Sequence, residues 1–124
     1  MTIREVLETV DRLKVNTYRT EDKIDWLSIL DGLIYNEVFR THEGCPVMEF
    51  NGYEVSDQDV ELLVPEPYAY DIYLHYLEAR IDQENEEIVK YNQSISLYNA
   101  AYLRFQDFWN RTHRYVPRFS RFRF

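Results

Sequence analysis

Residues 68–112 decide the fold, and they run YAYDIYLHYLEARIDQENEEIVKYNQSISLYNAAYLRFQDFWNRT. Apolar and aromatic residues recur through this stretch in steps of three and four, which is the spacing of one face of an α-helix. Two interpretations fit: a single helix of about forty residues, or two helices joined by a bend near 83–87, where the residues are polar but include no Gly or Pro. We favour the hairpin of two helices because it allows a compact bundle to form. The apolar face of the second helix is expected to comprise Ile88, Tyr91, Ile95, Tyr98, Tyr102, Phe105 and Trp109.

The first helix of this pair is apolar almost all round. Its polar positions are Asp71, His75, Glu78 and Asp82, which fall on one narrow stripe. We interpret the stripe as an ordinary ion-pair face rather than an acid–base cluster, because side chains at these spacings meet on any helix. A helix with so little polar surface is buried on most sides. Few other elements of a short chain are available to cover it, so a partner subunit is expected to do so.

Tyrosines are spread around the same helix instead of following its apolar face. Tyrosine is favoured at interfaces because it combines apolar area with a hydroxyl that bonds easily near water. The predicted subunit interface therefore consists of Tyr68, Tyr70, Tyr73 and Tyr76.

Two further helices are predicted near the N-terminus. Thr2 and Glu5 have the spacing of a capping box, which predicts a helix over about 3–13. Thr20 is the candidate cap of a second helix over 21–40. The inward stripe of that helix is expected to comprise Ile24, Leu27, Leu30, Ile34 and Val38.

The segment between the helices changes character. In residues 47–55, VMEFNGYEV, the pair Asn51-Gly52 separates two short runs of extended type. Asn-Gly is the strongest two-residue signal for a β-hairpin turn, because both turn positions need positive φ. The predicted fold is therefore an all-α bundle of about four helices, with a short β-hairpin or loop near 47–55 and an extended C-terminal arm.

Charge is distributed unevenly along the chain. Residues 1–110 carry nine Lys or Arg and all 22 Asp or Glu, a net charge of −13, whereas residues 111–124 carry five arginines and no acid, a net charge of +5. We divide the chain into a helical domain, 1–113, and an arm, 114–124. An acidic body is expected to repel nucleic acid.

We also expect no membrane-spanning or secretory segment, since no long apolar run occurs.

The arm alternates arginines with aromatic residues. Three roles fit this pattern: docking on a protein through buried aromatic anchors, gripping nucleic acid, or anchoring to a membrane, for which it is short and lacks lysines. A sticky terminus without a partner is a fourth interpretation. The candidate docking residues are Arg114, Tyr115, Arg118, Phe119, Arg121, Phe122, Arg123 and Phe124.

Sequence motifs for catalysis are absent. The chain has three scattered glycines, too few for a phosphate-binding loop. His42, Glu43 and Cys45 lie close together, but they fall short of a zinc ligand set. We therefore expect no enzymatic activity, no metal and no cofactor.

The order of these segments resembles the head–tail connector proteins (adaptor or head-completion proteins) of long-tailed phages and prophages of Gram-positive bacteria. The similarity covers about residues 2–113 and is most specific in WLSILDG, residues 26–32, and in YNQSISLYNAAY, residues 91–102. Val15 stands where the family leads us to expect proline, and the Arg/Phe arm departs from the short endings of the family.

The resemblance implies a helical ring subunit without catalytic activity. Such a ring commonly has twelve copies, lies under the portal protein in the virion neck, contacts the next neck or tail-completion protein, and forms in the host cytoplasm during assembly. DNA passes through its channel without sequence-specific binding, and no membrane is involved. The arm would then dock on the portal. The alternative function is an acidic helical binding module whose basic–aromatic tail grips nucleic acid.

Overall fold

The computed structural model describes residues 1–43 and 49–114, and these residues form a bundle of four α-helices. The helices are α1 (Ile3–Leu13), α2 (Thr20–Ile34), α3 (Ala69–Glu84) and α4 (Ile88–Thr112). A π-helical turn over Tyr35–Phe39 extends α2, and a 3-10 turn over Val55–Asp57 lies in the connection from α2 to α3. The described residues contain no β-strand, and Thr2 and Glu61 form an isolated antiparallel bridge. The all-α prediction is confirmed.

Helix α1 begins as the capping box predicts. The Thr2 hydroxyl accepts a hydrogen bond from the Glu5 amide (3.2 Å), and the Glu5 carboxylate accepts one from the Thr2 amide (3.0 Å). The Ile3 amide donates to the carbonyl of Val60 (3.2 Å), and the Arg4 amide donates to the carbonyl of Gln58 (2.8 Å). The first turn of a helix leaves such amides without intrahelical partners, so these bonds fix the α2–α3 connection against the start of α1.

Helix α2 differs from its prediction at both ends. Thr20 is its first helical residue, and Arg19 occupies the cap position without a side-chain hydrogen bond. The cap prediction for Thr20 is therefore wrong, and the acidic residues of the first turn stabilise the positive helix end instead.

At the C-terminal end of α2, the π-helical turn places both Val38 and Phe39 in the core. The predicted inward stripe is confirmed, since all five of its residues are buried.

Helices α3 and α4 form the predicted hairpin, with its bend at Asn85–Glu87. The Glu86 amide donates to the Gln83 carbonyl (3.1 Å), and the Glu87 amide donates to the Asp82 carbonyl (2.9 Å). With Glu86 at φ +58°, these bonds form a Schellman motif, which ends a helix by reversing the chain. A glutamate thus occupies the left-handed position that glycine usually takes.

Helix α3 is covered by its own chain. It packs along α4 on one side and against α1 and α2 on the other. Burial of this helix therefore needs no partner subunit, because three helices and the preceding connection suffice, and a partner subunit stays a prediction. Its buried residues are Ala69, Ile72, Tyr73, Leu74, Leu77, Ala79, Ile81 and Asp82.

Helix α4 has only one face in the bundle. Phe105 and Trp109 are buried near its C-terminal end, where both contact the ring of Phe39. Ile88 was predicted to lie on this face but is 72% exposed, because α4 begins beyond the end of the core. The opposite face of α4 lies open to solvent.

Candidate functional site

The connection between α2 and α3 does not form the predicted turn around Asn51 and Gly52. Gly52 has a φ of +93°, but among the described non-glycine residues positive φ occurs only at Glu86. The favoured two-residue hairpin turn needs positive φ at both central residues, so Asn51-Gly52 is not that turn. Residues 49–54 belong to no helix or strand, and residues 47 and 48 lie outside the described part of the chain. The hairpin is not confirmed.

A buried carboxylate holds this connection in place. Asp31 is fully buried on α2 and accepts hydrogen bonds from the hydroxyls of Tyr53 and Tyr73 (the latter 2.6 Å) and from the amide of Leu63 (3.1 Å). The Tyr73 hydroxyl in turn accepts a bond from the amide of Val64 (2.9 Å). Residues from α2, from α3 and from two points of the connection therefore meet at a single side chain.

The pKa values of this cluster follow from its burial. Burial raises the pKa of Asp31 to about 6, while the hydrogen bonds from Tyr53, Tyr73 and Leu63 act in the opposite direction. Burial, followed by the charge of Asp31, raises the pKa of both tyrosines. At neutral pH the arrangement is an ionised carboxylate that accepts bonds from two neutral phenols.

The sequence contained a signal for Asp31 that we did not use. Asp31 follows Leu27 by four residues and precedes Ile34 by three, so it lies on the inward stripe of α2. A carboxylate on such a stripe is buried, and buried carboxylates need hydrogen-bond donors. Which donors reach it depends on the path of the connection, which periodicity does not show.

The four tyrosines assigned to a subunit interface occupy different environments. Tyr73 is fully buried inside the chain, where it bonds Asp31, so the interface prediction is wrong for this residue. Tyr68 and Tyr76 are half-buried, with their rings against aromatic residues of α4. Tyr70 is exposed. An interface role for these three stays a prediction.

The polar stripe of α3 forms ion pairs, as expected. His75 Nδ1 lies 3.0 Å from the carboxylate of Glu78. Asp82 is buried at the end of the stripe, where it pairs with the Lys14 ammonium (2.7 Å) and accepts a hydrogen bond from the Ser94 hydroxyl (2.9 Å). The stripe thus joins α1, α3 and α4 at one end of the bundle.

The outward face of α4 carries exposed apolar side chains without a packing partner among the described residues. Val89, Leu97 and Leu103 are 73%, 52% and 58% exposed, respectively. No charged residue occurs from Tyr91 to Leu103. A shallow groove of about 600 Å³ lies on this face, lined by Val89, Asn92, Gln93, Ser96 and Leu97. Exposed apolar side chains grouped in this way mark interaction surfaces.

The predicted arm begins where α4 ends, after Thr112, and only its first residue is described. The carbonyl of Arg114 accepts a hydrogen bond from the amide of Glu43 (2.8 Å), and the His113 ring stacks on Trp109 at 3.5 Å. The remaining residues assigned to docking lie outside the described part of the chain. They are Tyr115, Arg118, Phe119, Arg121, Phe122, Arg123 and Phe124.

Two structural findings bear on other classes of site. Within residues 1–43 and 49–114, no three His, Cys, Asp or Glu side chains come together in a way that would hold a metal ion. Every helix in the same residues is too short or too polar to cross a lipid bilayer.

Comparisons of this chain with protein-family models, with curated proteins and with solved structures found no significant match. Function is therefore inferred from the resemblance of the quoted segments and from the geometry of the described residues.

Proposed function

We propose that this protein is a structural component of a phage neck, a head–tail connector that forms a ring under the portal, extends the DNA channel and joins the capsid to the tail. The resemblance over residues 2–113 directs the proposal to the neck. Its two most specific stretches have structural counterparts: WLSILDG contains Ser28 and Asp31, which bond the connection, and YNQSISLYNAAY forms the middle of α4.

The observation that carries the proposal is the outward face of α4. The longest helix of the bundle exposes apolar side chains along a stretch free of charge. A helix that only faced solvent would carry charged residues on that side. An exposed apolar helix face in an otherwise acidic protein is explained by assembly.

The buried polar groups fit a structural role. Asp31 ties the connection to two helices, Asp82 ties three helices together, and the Lys23 ammonium, only 4% exposed, bonds the carboxylate of Asp11. Each of these groups has a partner that explains its burial. We propose no catalytic activity and no cofactor.

The proposed partners are further copies of the chain, the portal protein and the next neck or tail-completion protein. An acidic ring would let DNA pass without adhering, because phosphate binding needs rows of Lys or Arg.

The arm would dock on the portal, and arms repeated around a ring gain avidity from their number. Contacts through Tyr68, Tyr70 and Tyr76 remain part of the proposal.

The test is to mix the purified protein with its cognate portal and to examine the product by light scattering and negative-stain electron microscopy. We expect closed rings on the portal, with the twelve copies that the resemblance implies. A chain that stays monomeric both alone and with the portal would refute the proposal. Salt-sensitive binding to DNA that disappears on deletion of 114–124 would favour the alternative, a nucleic-acid-binding module.

A further inference from the structure

The outward face of α4 has a shape that can receive another helix. Val89, Ser96, Ala100 and Leu103 follow one another at spacings of seven, four and three residues, so they lie on one row along the helix. The small side chain of Ser96 lies in the shallow groove of this face, and Val89 and Leu97 border it. Helices pack by inserting the side chains of one into such grooves on the other.

A second apolar surface lies on α2. Ile29 and Leu33 are each 50% exposed, and they are one helical turn apart. Their spacing places both on the outward side of α2, opposite the buried stripe. They form a short ridge of two branched side chains.

The charges beside the two surfaces are opposite in sign. The surface charges of α2 are the acids Glu21, Asp22 and Asp25, because its remaining charged residues are buried. Arg19 pairs with the first two, and Asp25 has no ion pair among the described residues. This end of the α2 surface is therefore acidic.

Helix α4 carries the opposite charge. It holds Lys90, Arg104 and Arg111 against the single acid Asp107. All four of these side chains are exposed; the Lys90 ammonium pairs with the carboxylate of Glu87 at 2.8 Å, and the Arg104 guanidinium lies loosely against Asp71 at 3.6 Å. In a body with a net charge of −13 over residues 1–110, α4 is a cationic helix.

We propose that the outward face of α4 in one copy packs against the Ile29–Leu33 ridge of α2 in the next copy. This inference rests on the proposed function and names the surfaces by which the copies join. Contact between two α4 faces would bring cations together, and contact between two α2 faces would bring Asp25 near its own equivalent. The contact between α4 of one copy and α2 of the next instead places acidic residues opposite cationic ones beside the apolar surfaces. A contact between two different faces is heterologous, and heterologous contacts form a ring when the rotation from copy to copy closes.

Two double variants block the two surfaces separately. Leu97→Glu with Leu103→Glu blocks α4, and Ile29→Glu with Leu33→Glu blocks α2. All four side chains are at least half exposed, so both variants are expected to keep the helical circular dichroism and thermal unfolding of the wild type. As a matched control, Leu13→Glu with Val15→Glu adds the same charge at exposed apolar positions off both faces.

Assembly is measured by analytical ultracentrifugation of each protein, alone and with purified portal. We expect wild type and control to form rings and each blocked variant to form none, with or without portal. An equimolar mixture of the two blocked variants should form a dimer and nothing larger, because each copy keeps one intact face.

Rings formed equally well by the blocked variants, or an equal loss of rings in the control, would overturn the inference while leaving the proposed connector function standing. If the equimolar mixture of the two blocked variants stayed monomeric, the proposed contact between α4 and α2 would be refuted. Failure of the wild type to assemble in either condition would instead refute the proposed function itself.

Discussion

Asp31 organises the long connection between α2 and α3 through hydrogen bonds alone. A carboxylate has enough acceptor sites for its three donors, which come from α3 and from two points of the connection. Ser28, one turn earlier on α2, adds a further bond by accepting from the Tyr53 amide (2.8 Å). The connection is therefore shaped from within α2.

Replacing Tyr73 with phenylalanine tests this cluster. Tyr73→Phe keeps the ring but removes both the donor to Asp31 and the acceptor for the Val64 amide, and it is expected to lower the free energy of unfolding by about 2 kcal/mol. Tyr76→Phe on the same helix is the matched control, since no hydrogen bond of its hydroxyl is found among the described residues. Urea unfolding of both variants checks the difference, and equal losses would contradict the anchoring role.

The raised pKa of Asp31 predicts a dependence of stability on pH. Its folded value of about 6 exceeds the ordinary value of 3.8, so the folded state holds this proton more tightly than the unfolded state. The stabilisation from protonation is complete below about pH 4 and is lost as the pH rises to about 6. As the pH rises across this window, the free energy of unfolding of the wild type should fall by on the order of 2–3 kcal/mol relative to that of Asp31→Asn. Urea unfolding of both proteins at intervals of pH measures it, and a constant difference between them would refute the assignment.

At the scale of the elements, the α3–α4 bend depends on backbone geometry at one residue. Glu86 adopts the left-handed conformation at φ +58° with a side chain that disfavours it. Glu86→Gly is therefore expected to raise the free energy of unfolding by about 0.5–1 kcal/mol. Glu84→Gly, in the last helical turn, is expected to lower it by a similar amount, about 0.5–1 kcal/mol. Thermal unfolding of the two variants measures this difference. If both substitutions changed the free energy of unfolding in the same direction, the Schellman motif at Glu86 would be contradicted.

The joint between α1, α3 and α4 depends on one buried charge pair. Lys14→Met leaves Asp82 buried with only the Ser94 hydroxyl, and the free energy of unfolding is expected to fall by about 3 kcal/mol. Adding Asp82→Leu removes the stranded charge, so the double variant should be less destabilised than the sum of the two single variants. A double-mutant cycle from urea unfolding measures this coupling, and additive losses would show that the pair does not join the helices.

At the scale of the whole molecule, the helical bundle is expected to fold without the arm. The last buried residue of α4 is Trp109, so a truncation after His113 leaves the core complete. We expect unchanged helical circular dichroism together with loss of portal attachment in a pull-down. Within the arm, Phe119→Ala and Phe122→Ala should weaken attachment more than Arg123→Ala, because buried aromatic anchors dominate interfaces. Normal portal decoration by the truncated chain would show that the arm does not dock there.

Local sequence patterns were sufficient for much of the bundle. The Thr2 capping box, the inward stripe of α2 and the polar bend before Ile88 each depend on a few neighbouring residues, and each was predicted. Side-chain burial was predicted less well, as Ile88 and Tyr73 show. Ile88 has the correct periodicity but lies beyond the end of the core, whereas Tyr73 was assigned to the surface although its hydroxyl has a buried partner.

The sequence by itself determined the helical elements and the segregation of charge between body and arm, because periodicity, caps and residue charges are properties of short segments. Only the tertiary structure decided which faces are covered. Helix α3, the more apolar helix, is enclosed by its own chain, and the open surface lies on α4 instead. Coverage depends on how distant segments pack, and that packing brings Asp31 to Tyr73 and leaves Leu97 in solvent.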